Sequence, residues 1–331
     1  MRKGQHRLIL TLFSCVCLVS AACAGIEPSV SSGPSITPPP AFHSGQIIDA
    51  ANGQALSIDE LVSRLLQQEV LYLGEEHHNR FHIEAALSIL NRLSRAGRRP
   101  VVAMEMFGWE SQPLLDRYVQ GDDLTRRDFL NQVGWAQNWG GPFETYEPLV
   151  IFTKTEHLRL VALNPPKTLV RLVAKKGLAQ ARLEEDWTRS SMQEETIVDD
   201  PSYRQKILEQ LRACHDGGSD DMYQKMYEAS MVRDEGMAKT IVSLVEALRG
   251  SADPVVGPVV SYTGGGHVQY NLPVPQRVAR RLSGTIRQTS IYMTSYDEGR
   301  RDELREMLTS RIADYIWLTP VSEGGMPRRC R

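Results

Sequence analysis

What this 331-residue chain lacks narrows the field first. It has five cysteines and no CxxC pair, so neither a zinc knuckle nor a thioredoxin-like redox motif is present. No run of like charges offers a binding tail. The formal charge is −2, and setting aside the N-terminal cations Arg2, Lys3 and Arg7 leaves −5, so the rest of the chain has no positive field to recruit nucleic acid. No internal repeat is visible, so the fold is not an array of like units. The apolar stretch LILTLFSCVCLVSAA, Leu8 to Ala22, falls short of the about 20 residues that a membrane helix needs.

What is there begins with that same stretch. Three cations, a short apolar run and small residues at its end make residues 1–22 a signal peptide. Two cleavage sites compete. Ala21-Ala22-Cys23 resembles a lipoprotein signal, with Cys23 as the lipidated first residue, although Ser20 stands where a leucine is usual. Ala22-Cys23-Ala24 suits an ordinary signal peptidase. The lipoprotein reading is preferred because residues 23–44 form a Pro/Ser-rich tether that cannot build a core. Ala24 is not the aspartate that often retains lipoproteins at the inner membrane, which favours an exported protein lipid-anchored at the outer membrane. Of the remaining cysteines, Cys214 and Cys330 are either paired as a disulfide or present as free thiols.

From residue 45 to 320 short apolar runs alternate with amphipathic stretches. Strands are expected at Val70–Glu75, Val101–Phe107, Arg159–Asn164, Pro258–His267, Ser290–Tyr296 and Asp314–Pro320. Helical spacing appears between them, for example at Ile83, Ala86, Leu87, Leu90 and Leu93, closed by Gly97. This alternation predicts an α/β fold with a mostly parallel sheet flanked by helices. Two inserted segments, within 109–156 and 166–248, are too long for simple crossovers and are expected to form a helical cap.

In such sheets ligands bind beyond the carboxyl ends of the strands. Glu75, Glu76, His77 and His78 follow one strand, Glu105 lies near the end of another, Asn164 ends a third, and His267 follows Gly264-Gly265-Gly266. Imidazoles and carboxylates would converge there, and a histidine pair such as His78 and His82, joined by another histidine and a carboxylate, has the makings of a metal site. His78 and His82 are four apart and share a face if the helix has begun by His78. The alternative is a helix-surface pair, with His77 as a cap or core partner. Gly265 and its neighbours allow backbone to approach a ligand closely, or form a flexible turn. The helix near Pro275–Leu282 would aim its amide-rich start at the site. Arg233 and Asp234 are expected to hold the cap helix, by pairing with each other or by other salt bridges.

The order of motifs is similar to that of the ChaN family. Gly74-Glu75-Glu76-His77 with His82 resembles its GExH…H opening, Glu105-Met106-Phe107 its EMF element, and Gln112-Pro113 to Tyr118 its QPxLDxY helix. Trp139, Tyr146-x-Pro148, Ala162-Leu163-Asn164, Arg233-Asp234-x-x-Met237-Ala238 and Gly264-Gly265-Gly266-His267 follow in sequence. The resemblance spans roughly 45 to 294. It implies a haem-binding lipoprotein of haem and iron uptake, which would exchange haem with an outer-membrane receptor, touch the membrane only through its lipid anchor and form a homodimer. It also implies kinship with Tiki-type metalloproteases and erythromycin esterases, whose metal-dependent centre, carried over by position, falls on His77, Glu105 and His267 as ligands of a divalent ion such as Zn or Mn, with Glu75 beside them as general base of a hydrolase. The family's haem-binding members ligate iron through a tyrosine at the dimer interface. Tyr223 and Tyr227 are candidates for it here, on a Met- and Tyr-rich helix that suits a porphyrin or packs as core.

Overall fold

The computed structural model describes residues 41–121, 124–215, 217–253 and 255–323. The chain divides into Met1–Ser35 and Ile36–Arg331, and every described residue belongs to the second unit. The signal peptide, Cys23 and most of the tether lie outside the described residues. Cys214 is disulfide-bonded, and the other cysteines also lie outside them. Among the described residues no helix is long and apolar enough to cross a membrane.

Eight strands form one sheet: β1 (Ile47–Asp49), β2 (Ala55–Leu56), β3 (Val70–Glu75), β4 (Arg99–Gly108), β5 (Leu160–Asn164), β6 (Val256–Gly264), β7 (Gln288–Ser295) and β8 (Tyr315–Thr319). The spatial order is β2-β1-β8-β7-β3-β6-β4-β5. The six strands from β8 to β5 run parallel; only β1 is antiparallel, to both β8 and β2. The α/β architecture predicted from the alternation is therefore present, and the β1–β2 pair is an addition to it. Every residue of β3 is buried, as expected of a continuous apolar run covered on both faces.

Alternation along the strands divides the core. Leu71, Leu73, Val102, Met104, Val260 and Tyr262 face helices that include Arg80–Arg95 and those of the first insert. Val70, Tyr72, Val101, Ala103, Val161 and Val259 face the long helix Asp220–Arg249 and the helix Val274–Arg281. Each fully buried Leu, Ile or Val contributes about 1.5–3 kcal/mol, so these two layers fix the placement of both inserts. The long helix starts at Ser219, whose side chain accepts from the Met222 amide, with Asp220 and Asp221 in its first turn. The inserts thus supply helices to both faces, and they meet over the carboxyl edge of the sheet.

Two local features aim side chains at that edge. Between Met104 and Gly108 the β4–β5 register slips: β4 advances four residues while β5 advances two, from Ala162 to Asn164. Such an irregularity re-aims side chains, and Glu105 sits within it. Gly236 lets the long helix approach the end of β5, since a Cβ there would lie 2.8 Å from the Pro165 ring. That contact brings Arg233 and Asp234 within reach of the strand ends.

Candidate functional site

Four neighbouring strands, β3, β6, β4 and β5, deliver Glu75, Gly264, Glu105 and Asn164 to one rim. Glu75 is 3% exposed. It accepts hydrogen bonds from Tyr146 Oη at 2.9 Å and Tyr262 Oη at 2.7 Å, and its Oε1 lies 2.8 Å from His77 Nδ1. Burial pushes its pKa up, against these contacts, which favour the carboxylate. Burial also opposes charge on His77, but the Glu75 contact and the Glu105 carboxylate outweigh it and raise the His77 pKa. The His77 side chain stays 44% exposed and packs edge-on to Trp139, ring centroids 4.8 Å apart. With Nδ1 held by a carboxylate, Nε2 is the atom left to serve a ligand.

Glu105 is fully buried, and both its oxygens are engaged. One pairs with Arg233 and lies 3.5 Å from His267 Nε2; the other accepts from the Gly264 amide at 2.6 Å. Burial raises its pKa, but Arg233 and His267 overcome that and hold it well below the usual carboxylate range. Arg233 also donates to Asn164 Oδ1 at 3.0 Å, while Asn164 Nδ2 donates to the Glu105 carbonyl at 2.6 Å. Behind them, His267 Nδ1 lies 2.5 Å from Asp234 Oδ1, and Tyr203 donates to Asp234 Oδ2 at 2.5 Å. Burial works against a charged His267, yet Glu105 and Asp234 raise its pKa to about 9.

In front of this framework lies a cavity of about 370 Å³. His77, His78 and Glu105 line it, with Trp139, Met106, Val170 and Pro165 as apolar surface and Arg233, Lys167 and Arg171 as cations. Lys167, Val170 and Arg171 share one face of the helix Lys167–Lys176. The size falls in the range of cofactor pockets, about 300–1,000 Å³.

The expected residues are not all at this place. His77, His78, Glu105 and Asn164 line the cavity; Glu75 and His267 stand behind it. His78 does not share a helix face with His82. It has φ 64°, ahead of the N-cap Asn79, and the helix begins only at Arg80. Its amide donates to Tyr146 Oη at 2.9 Å. His82 is fully buried, its Nδ1 accepting from the Glu76 amide at 2.9 Å, in a cluster where Glu76 also holds Thr294 and Ser295 of β7. His82 therefore locks β3 to β7 rather than facing a ligand. Tyr223 and Tyr227 lie away from the cavity. The Tyr223 hydroxyl donates to the His215 carbonyl, and Tyr227 donates to Asp199 at 2.6 Å. Their stripe packs as core. Gly265 abuts Tyr292, and a Cβ on Gly264 would lie 2.6 Å from the His77 ring, so these glycines admit protein side chains rather than a ligand. The helix Val274–Arg281 is not among the cavity walls; its Arg277 donates back to the carbonyls of Leu272 and Pro273.

Of the two alternatives for Arg233 and Asp234, the structure has the other salt bridges. Arg233 and Asp234 do not pair with each other; one takes Glu105 and the other His267. Tyr146 reaches the site through Glu75, and Tyr262 and Tyr203 join it without having been singled out. Only Tyr146 carried a motif that could have flagged it. Among the described residues no three His, Cys, Asp or Glu side chains are gathered so as to hold a metal ion, although His77, Glu105 and His267 are neighbours.

The model of the family described as "Haem-binding uptake, Tiki superfamily, ChaN" matches residues 61–278. Among solved structures the chain is similar to ChaN of Campylobacter jejuni, solved with cofacial haem, with a TM-score of 0.61 and 16% identity over 82% of this chain and 95% of that one. It is also similar to a mutant of the erythromycin esterase EreC in its open conformation, with a TM-score of 0.39 and 15% identity over 72% of each chain. Protein RETICULATA-RELATED 5, chloroplastic, of Arabidopsis thaliana is 22% identical over 278 residues, covering 77% of this chain. The chain spans about a third, 34%, of that relative's length.

Proposed function

The chain belongs to the ChaN family of haem-binding uptake proteins in the Tiki superfamily, and from that premise we propose that it binds haem in the cavity at the carboxyl edge of its sheet. The observation that carries this reading is the cavity of about 370 Å³ in which an imidazole backed by a carboxylate stands beside an aromatic wall and a cationic helix face. Haem needs an axial ligand, a flat apolar contact and partners for its propionates. His77 supplies the first, its Nδ1 held by Glu75 as carboxylates commonly hold ligating histidines. Trp139, Met106, Val170 and Pro165 supply the second, and Lys167 and Arg171 the third. When bound, haem contributes an iron centre; the protein's part is to hold and orient it.

The wider role that goes with this reading is haem and iron uptake at the cell envelope. The chain would be exported, lipid-anchored through Cys23 at the outer membrane, and would exchange haem with a receptor there as a homodimer.

 Adding haemin to the purified protein tests the core of this reading. A Soret band that saturates at a fixed stoichiometry, and that His77→Ala shifts or weakens, is the expected result. Unchanged haemin absorbance at stoichiometric protein overturns it.

One observation favours a second reading. Two carboxylate-backed imidazoles, Glu75–His77 and Asp234–His267, flank Glu105 as acid–base groups of a hydrolase do. A metal-dependent hydrolase would retain stoichiometric Zn or Mn through purification and lose it in His267→Ala. Elemental analysis of the same sample used for the haemin titration separates the two readings.

A further inference from the structure

The polar groups around the cavity fall into two sets. The first is closed on itself: Glu105 is held by Arg233 and the Gly264 amide, Glu75 by His77 and two tyrosines, and Asp234 by His267 and Tyr203. The second is open. Arg171 lines the cavity and has no hydrogen bond or ion pair among the described residues. One turn earlier on the same helix face, Lys167 donates to the carbonyls of Gln137 and Asn138, both at 2.8 Å. Two neutral carbonyls leave its charge uncompensated. The other carboxylate lining the cavity among the described residues, Glu110, is folded back over Gly108, where a Cβ would lie 2.7 Å from its Oε2.

We infer that Arg171 and Lys167 form a carboxylate clamp, and that the ligand class selected by this cavity is the dicarboxylic tetrapyrrole, with or without iron. The inference rests on the haem reading above and deepens it. A guanidinium fork takes a carboxylate through two parallel hydrogen bonds, and an ammonium beside it adds charge. The face between them and the sheet edge is the apolar surface of Val170, Pro165 and Trp139. An iron-free porphyrin presents the same carboxylates and the same flat ring to these groups, and forgoes only the axial bond at His77. Esterifying the carboxylates removes what the clamp grips while leaving the ring intact.

The test uses the full-length protein with three probes: haemin, protoporphyrin IX and protoporphyrin IX dimethyl ester. Binding is followed by quenching of tryptophan fluorescence and by porphyrin absorbance. Both diacids are expected to bind, and the diester more weakly. Arg171→Ala is expected to weaken both diacids about five- to tenfold, the range for a partly exposed charge-assisted pair, and Arg171→Glu more strongly. The diester should not respond to either substitution. Haemin binding without protoporphyrin binding, or diacid affinities unmoved by Arg171→Glu, overturns the clamp and leaves the haem reading standing. Binding of none of the three overturns both. Arg171 is solvent-exposed and outside the core clusters, so its variants test recognition rather than folding.

Discussion

Arg233→Ala is the sharpest test of how the site is held together. Glu105 is fully buried, and Arg233 is its only permanently charged partner among the described residues, with 31% of the Arg233 side chain exposed. Removing one member of a buried ion pair costs about 3–5 kcal/mol, because the remaining charge stays desolvated. Two features pull this case to the low end. Arg233 keeps contact with water, and Glu105 retains the Gly264 amide and the nearby His267. A loss of about 3 kcal/mol is therefore expected. With a urea slope of about 3 kcal/mol/M, the unfolding midpoint should fall by about 1 M. Adding Glu105→Gln removes the stranded charge, so the double variant should recover more than half of the loss. A single-variant cost below about 0.5 kcal/mol, or strictly additive effects, would refute the idea that this pair anchors the long helix to β4.

Three other outcomes follow from the same geometry. The His267 pKa is raised from 6.5 to about 9, so its contribution to stability is complete below pH 6.5 and declines as pH rises through 9; His267→Gln should flatten the profile between those values in urea titrations. Gly264→Ala places a Cβ 2.6 Å from the His77 ring, which must move; the Soret response should weaken while far-UV circular dichroism stays unchanged. Tyr227→Phe loses its hydrogen bond to Asp199 and should cost about 1 kcal/mol, yet it and Tyr223→Phe should leave the haemin spectrum as it is; loss of the Soret band in either would restore a tyrosinate ligand.

Much of this site was legible in the sequence because the strands were. The run Val70–Glu75 could only be a doubly covered strand, and its end fixed Glu75 and His77 on the rim. The same logic placed Glu105 and Asn164. What it could not reach were the partners. Arg233 and Asp234 sit more than a hundred residues from Glu105 in sequence, and their assignment depends on how closely the long helix approaches β5 across Gly236. Spacing misled for His78 and His82, because the intervening Asn79 caps the helix and leaves His78 in the left-handed region. The triple glycine did mark close packing, but the neighbour it admits is His77 itself. The two-strand pair β1–β2 escaped because segments of three and two residues are too short to show a period.

The central claim is that His77, oriented by Glu75, presents Nε2 to a haem lying in the cavity at the sheet's carboxyl edge. A crystal structure of the haemin-loaded protein tests it most directly. The account predicts iron on His77 Nε2, the porphyrin against Trp139 and its carboxylates toward Lys167 and Arg171. Iron held by another residue, or a porphyrin bound outside this cavity, would contradict it.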